Sequence, residues 1–477
     1  MIWLVAALLL FLFQISTILV AEFRRPSKGF AWLFILFLFP LVGFVMYYFL
    51  AQEYRQRSKL RRKGNRSAEI FLRDLVPHIR VLEHTTDFSS CHMQTDTRFL
   101  GLLQSFPDAL ITGNNRSEVL PSARHFYERM LQDIERAENH IHMVFYIWKD
   151  DHIGRTFQRT LIRKASEGVS VRIVYDGIGS YSTPMTFWEG LKAAGAEVHA
   201  FLPATIALFA KRLNYRNHRK IAVIDGMIAY LGGINIGDEY LGNSQRLGYW
   251  RDTCLRLQGD AVYGVQHAFM EDWELVSREK LSYTKELFTR HEITDREPVQ
   301  IVKSGPDVDW DTILEMYFSA FVSAKERIYI TTPYFIPDRS ISMALKTAAL
   351  AGVDVRVIIP GVADSHLTLW ASLSYVEEML QTGVRIYRYQ KGFMHAKTVV
   401  VDRHFASVGT ANMDMRSFYS NFEINAALFD EARVNELADR TLQDVEDSEE
   451  IRLSKFLERS RFQKGQEAVG RLISPLL

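Results

Sequence analysis

The stretch His218-Arg219-Lys220-Ile221-Ala222-Val223-Ile224-Asp225 returns later in the chain as His395-Ala396-Lys397-Thr398-Val399-Val400-Val401-Asp402. Each is followed by a small-residue segment, Gly232-Gly233-Ile234-Asn235 and Gly409-Thr410-Ala411-Asn412. The spacings agree in both copies: two residues from His to Lys, seven to Asp and seventeen to Asn. Residues two apart on a strand project to one face, so each His and Lys should point together. Ile221/Val223 and Val399/Val401 are expected to alternate into the core. Asp225-Gly226 reads as a turn that aims the aspartate elsewhere.

The repeat widens outward from these motifs. Ala137-Glu138-Asn139-His140-Ile141-His142-Met143 is matched by Ala324-Lys325-Glu326-Arg327-Ile328-Tyr329-Ile330. Gly168-Val169-Ser170-Val171-Arg172-Ile173 is matched by Gly352-Val353-Asp354-Val355-Arg356-Val357. Ala194-Gly195-Ala196-Glu197-Val198 is echoed by Thr382-Gly383-Val384-Arg385-Ile386. Helical stretches alternating with short Val/Ile-rich strands predict an α/β lobe, present twice and packed as a pseudo-twofold pair. Polar punctuation near Glu292–Asp311 sets the boundary, giving lobes over 107–296 and 297–450 after a lead-in over 65–106.

The chain has 477 residues, 48% hydrophobic and 24% charged, which excludes a disordered or fibrous protein and is too long for one core. The formal net charge of +1 hides an asymmetry: residues 1–66 hold ten basic and two acidic residues, leaving the rest at −7. Such a body lacks the global basic surface of a nucleic-acid binder. Cys91 and Cys254 are too few for a disulfide framework or a zinc cluster.

Ile2 to Ala21 and Phe30 to Ala51 carry no charge, and each is long enough for a hydrocarbon core of ~30 Å. A transmembrane hairpin is therefore expected within a membrane anchor over 1–64. Seven basic residues over 55–66 against three over 22–29 place the body on the cytoplasmic side of the cell membrane. Alternatively Arg24, Arg25 and Lys28 sit at lipid phosphates and the hairpin dips in from one face. The tail over 451–477 alternates Leu453, Phe456, Leu457, Phe462, Val469, Leu472 and Ile473 with Arg452, Lys455, Arg459, Arg461, Lys464 and Arg471. It reads either as a basic interfacial helix or as a surface helix packed on the body.

Across a pseudo-twofold, His218, His395, Lys220, Lys397, Asn235 and Asn412 would converge. Such a set surrounds an anion with donors and suits a phosphate. No carboxylate cluster, HExxH or EF-hand pattern is present, so neither a metal nor another cofactor is expected.

The doubled His-x-Lys-x₄-Asp pattern resembles the phospholipase D superfamily. Arg24-Arg25-Pro26, Pro333-Tyr334-Phe335-Ile336-Pro337 and the end Ser474-Pro475-Leu476-Leu477 make the chain more narrowly similar to bacterial cardiolipin synthases. The resemblance implies two α/β/α sandwich lobes in a bilobal body, and phosphatidyl transfer through a phosphohistidine. One histidine attacks phosphorus and the other serves as acid and then base: His218 and His395 respectively, or the reverse. Lys220, Lys397, Asn235 and Asn412 would stabilise the transition-state oxygens. Asp225 and Asp402 complete the catalytic pattern, though as anchors of the fold or of neighbouring donors. The resemblance also implies an acidic partner for each histidine; Asp252 and Glu423, 34 and 28 residues after the respective motif histidines, are the candidates, with surface carboxylates as the alternative. Where the family often has a serine two residues before the asparagine, this chain has Gly233 and Thr410, which puts a hydroxyl contact to phosphate in the first half in doubt.

The implied reaction joins two phosphatidylglycerol molecules, donor and acceptor, at a bilayer. A membrane-bound phospholipase D, a nuclease and an inactive scaffold are the competing readings. Lys211, Arg212, Arg216 and Arg219 would serve anionic lipid head groups as well as nucleic acid. Nothing in the sequence sets the oligomeric state.

Overall fold

The computed structural model describes residues 2–22, 26–50, 96–106, 108–203, 215–306 and 311–477. Arg24, Arg25, the basic flank over 55–66, most of the lead-in, Lys211 and Arg212 lie outside them.

The first lobe builds strands β2 (Asn115–Leu120), β3 (His140–Phe145), β4 (Ser170–Asp176), β5 (Glu197–Phe201), β6 (Ile221–Ile224), β7 (Ile228–Gly232), β8 (Tyr249–Arg251) and β9 (Cys254–Gly259), after a short β1 (Ile111–Thr112). The second builds β10 (Val299–Ser304), β11 (Arg327–Thr331), β12 (Asp354–Pro360), β13 (Arg385–Tyr389), β14 (Gly392–Met394), β15 (Thr398–Val401), β16 (Phe405–Gly409), β17 (Glu423–Leu428) and β18 (Ser448–Glu450).

One sheet runs β2-β9-β7-β6-β3-β4-β5 and the other β10-β17-β16-β15-β11-β12-β13, with β1 and β18 added at its two edges. The repeat in sequence is thus a repeat of topology. β1 departs from the expected division, because Ile111 and Thr112 pair with Gln300 and Val299 in the second sheet. In each lobe three parallel strands are joined by helices (His152–Ser166 and Met185–Ala193; Arg339–Leu350 and His366–Leu380). Gly168 and Gly352, each with φ +95°, release the chain from equivalent helices into β4 and β12.

Each sheet has an outer apolar layer of its own, and the inner faces share one core. Val223, Leu231 and Leu255 of the first lobe meet Val400, Val408 and Ile424 of the second there. Ile221 and Val223 point inward as expected. Val399 and Val401 instead face the outer core of the second lobe, because they share parity with His395 and Lys397 while Val400 points inward.

The N-terminal segment differs from a simple hairpin. Helix α1 runs Ile2–Ala21, but the second apolar run is split into α2 (Pro26–Leu38) and α3 (Pro40–Leu50). The rings of Trp32 and Tyr47 lie 5.6 Å apart, whereas one straight helix would separate them by about 22 Å. α3 therefore folds back on α2, turning at Phe39-Pro40, where proline supplies no N–H. Gly43 permits the approach, since a Cβ there would stand 2.9 Å from Ile35 O. Side chains at 2–4, 6–8 and 21 are outside the described set. Among the described residues no helix is long and apolar enough to cross a membrane.

Candidate active site

His218 lies just before β6 and His395 just before β15, at equivalent strand ends where the lobes meet. Backbone pairing between lobes sets this position. His218 N donates to Phe422 O (3.0 Å) and His395 N to Arg251 O (2.8 Å), while β14 runs parallel to β8. Each histidine therefore sits beside the residue preceding the other lobe's acidic candidate.

The consequence is a crossed pairing. His218 Nδ1 donates to Glu423, with both carboxylate oxygens at 3.0 Å. His395 Nδ1 donates to Asp252 Oδ2 at 2.7 Å. The offsets counted within each copy pointed to pairs inside a lobe; the structure brings all four residues together but exchanges the partners. With Nδ1–H held by a carboxylate, Nε2 is the acceptor nitrogen of each ring, the one left to react with substrate.

The lysines fold back beside their histidines. Lys220 Nζ donates to His218 O at 2.8 Å and Lys397 Nζ to His395 O at 2.6 Å. Lys397 Nζ also lies 3.0 Å from both ring nitrogens of His395. Both ammonium groups are buried, and burial, with lesser contributions from neighbouring charges, holds Lys220 at about 7 and Lys397 at about 8. Burial likewise lowers His218 despite Glu423, and burial plus the Lys397 charge takes His395 down to about 3. Burial thus favours the neutral form of both imidazoles in the free site. A bound phosphodiester anion would raise both.

The asparagines are unequal. Asn235 is spent on the fold: its Oδ1 accepts from Ile147 N (3.0 Å) and its Nδ2 donates to Tyr240 (3.1 Å). Asn412 leaves its Oδ1 buried with no hydrogen-bond partner among the described residues, while its side chain donates to the Asp414 carboxylate. Thr410 donates its hydroxyl to Glu423 (2.5 Å). Its counterpart Gly233 has no room for a side chain, since a Cβ would stand 2.3 Å from Asp252 Oδ1. Neither position offers phosphate a hydroxyl.

Asp225 and Asp402 lie outside the site. Asp225 accepts from the backbone N–H of Glu138, Asn139 and His140, each at 2.8 Å. Asp402 binds Lys325, Glu326 and Arg327 in the same way. Seven extended residues place each about 23 Å from its histidine. They tie the far end of the motif strand to the start of β3 or β11.

Several neighbours carried no signal in the motif. The Tyr146 ring lies 5.0 Å from His218 and takes Lys220 over its face at 5.2 Å. Trp250 lies 5.1 Å from His395. Asp176 accepts from Asn217 N (3.1 Å) and Arg216 (3.3 Å), seating the residues before His218. Its place at the end of β4, just before Gly177, was the available clue. Elsewhere Asp108, His267 and Glu271 cluster like metal ligands. There Lys303 Nζ stands 2.5 Å from both carboxylates and takes the place of a cation.

A family model described as "Cardiolipin synthase, PLD-like domain" matches residues 130–261 and 317–445. A second, "Phospholipase_D-nuclease N-terminal", matches residues 1–52. The chain is 40% identical over 475 residues to a cardiolipin synthase of Listeria welshimeri, covering 99% of this chain and 98% of that one. It is 39% identical to the major cardiolipin synthase ClsA of Bacillus subtilis, covering 99% and 100%. Among solved structures, phosphatidylserine synthase of Haemophilus influenzae superposes with a TM-score of 0.62 at 15% identity, over 80% of this chain and 100% of that one. That likeness is one of fold.

Proposed function

Because the chain belongs to the family of phospholipase-D-like cardiolipin synthases, we propose that it converts two phosphatidylglycerol molecules into cardiolipin and glycerol. The observation that carries this reading is the buried pair of crossed His–carboxylate couples flanked by two lysines. His218 Nε2 attacks phosphorus, and the bond from phosphorus to the head-group glycerol oxygen breaks. His395, protonated once the anion is bound, gives its Nε2 proton to that oxygen and glycerol leaves. The second phosphatidylglycerol then enters; neutral His395 takes the proton of its glycerol hydroxyl, that oxygen attacks phosphorus, and His218 is released. Lys220, Lys397 and the Nδ2 amide of Asn412 donate to the equatorial oxygens, and removal of one such donor costs about 10²–10³ in rate.

On the same reading the catalytic lobes span 107–296 and 297–450, and the N-terminal helices hold the body at the membrane. Their apolar exteriors, Phe37, Leu41 and Val42 among them, support this.

The deciding experiment is to give purified full-length protein phosphatidylglycerol alone. Cardiolipin and glycerol in equal amounts support the transferase. Phosphatidic acid as main product would make it a phospholipase D.

A further inference from the structure

The helix Arg461–Ile473 is turned inside out. Packed amphipathic helices put their apolar stripe against the body, yet here Phe462, Val469 and Leu472 are 75%, 46% and 36% exposed. The face turned to the body is polar or small. Glu467 is buried on an ion pair with Arg459 (2.9 Å). Gly470 presses on the helix His366–Leu380, where an added Cβ would stand 2.6 Å from Ala371 N. Arg471 pins the next turn to Glu378 at 2.9 Å. The orientation is thus fixed by specific contacts, with the apolar stripe left outward.

Two further observations name the occupant. Arg461 is exposed at the edge of the apolar stripe, and Lys464, one turn on, is exposed with its ammonium on Leu457 O (3.0 Å), so the outward face carries basic charge beside the stripe. The chain then ends against the N-terminal helices, Leu476 packing on the cluster of Ile18, Trp32, Leu36 and Tyr47. The helix and the last turn of the chain thus lie beside α2, whose Phe37 and Leu38 are exposed. We propose that this helix lies in the interface of an anionic bilayer, a second membrane contact that fixes the height and tilt of the catalytic body. Interfacial helices of this kind sink their apolar face about 5–10 Å into the boundary of head groups and acyl chains.

The test uses the full-length chain with Cys91→Ser; Cys254 is buried and free. Environment-sensitive fluorophores are attached at Phe462→Cys, at Val469→Cys and, as a control on the exposed surface of the first lobe, at Arg159→Cys. In phosphatidylglycerol vesicles, emission at 462 and 469 should shift to the blue and be lost to a nitroxide placed shallowly on the acyl chain, while 159 is unaffected. Quenching at 462 and 469 no greater than at 159 overturns the proposal. So does a blue shift that grows with protein concentration in lipid-free detergent, which would make the stripe a contact between copies. As an independent measurement, vesicles should slow tryptic cleavage after Arg461 and Lys464. The exposed triple variant Phe462→Ser, Val469→Ser, Leu472→Ser should restore it; equal rates for both proteins overturn the proposal. Neither readout uses turnover, so failure here is separable from failure of the proposed reaction.

Discussion

Glu423 of the second lobe holds His218 of the first, with both carboxylate oxygens 3.0 Å from Nδ1. Glu423→Gln keeps the volume and an acceptor but removes the charge that favours an imidazolium. A loss of about 10²–10⁴ in kcat is expected, with Tm little changed. Turnover near that of the parent would show that the carboxylate does not assist the histidine.

The asymmetry between Gly233 and Thr410 leads to unequal substitutions. Gly233→Ala places a methyl 2.3 Å from Asp252 Oδ1 and should push Asp252 off His395, removing most activity. Thr410→Ala deletes one hydrogen bond to Glu423 and should cost about 0.5–1.5 kcal/mol of stability with only a modest fall in rate. Equal effects in a paired kcat and Tm comparison would refute the crowding argument.

The two lysines make phosphate binding sensitive to alkali. With Lys220 at about 7 and Lys397 at about 8 in the free enzyme, kcat/KM should fall as pH rises through this range and the ammonium groups lose their protons. The same depression opposes folding. Below about pH 7 the penalty is complete, and it is relieved as pH rises toward the unfolded lysine value of about 10.4. Lys220→Met should therefore raise Tm at neutral pH while lowering turnover by about 10²–10³; a lowered Tm would contradict the assigned burial cost.

Asp225 and His218 should separate structure from chemistry. Asp225→Ala leaves three backbone N–H groups without their acceptor and should destabilise by about 1–3 kcal/mol. The folded fraction should keep near-normal kcat. His218→Ala should do the reverse, with Tm retained and turnover lost.

On the proposed reaction, activity should persist in excess chelator, because lysine ammonium groups would meet the phosphate in place of a carboxylate-held metal. Loss of activity that Mg²⁺ restores would overturn this.

The repeat and the motif leading into β6 and β15 were legible in the sequence because they follow from local periodicity and spacing, whereas the acidic candidates came from the family resemblance. The break at Phe39-Pro40 was not. Apolar character over Phe30–Ala51 is the same whether a helix runs straight or folds back, and the choice rests on Trp32 meeting Tyr47. The role of Asn235 was equally hidden, since its spacing matches Asn412 while its amide is consumed by Ile147 N and Tyr240.

Two α/β lobes, each with one histidine and one lysine at corresponding places, could be read from the chain alone. These are properties of strands and turns, encoded by residues near one another in the chain. The exchange of carboxylates, Glu423 to His218 and Asp252 to His395, emerges only in the folded molecule. The exchange arises from backbone pairing between lobes, His218 N to Phe422 O and His395 N to Arg251 O. No spacing within one copy records a contact made across the pseudo-twofold.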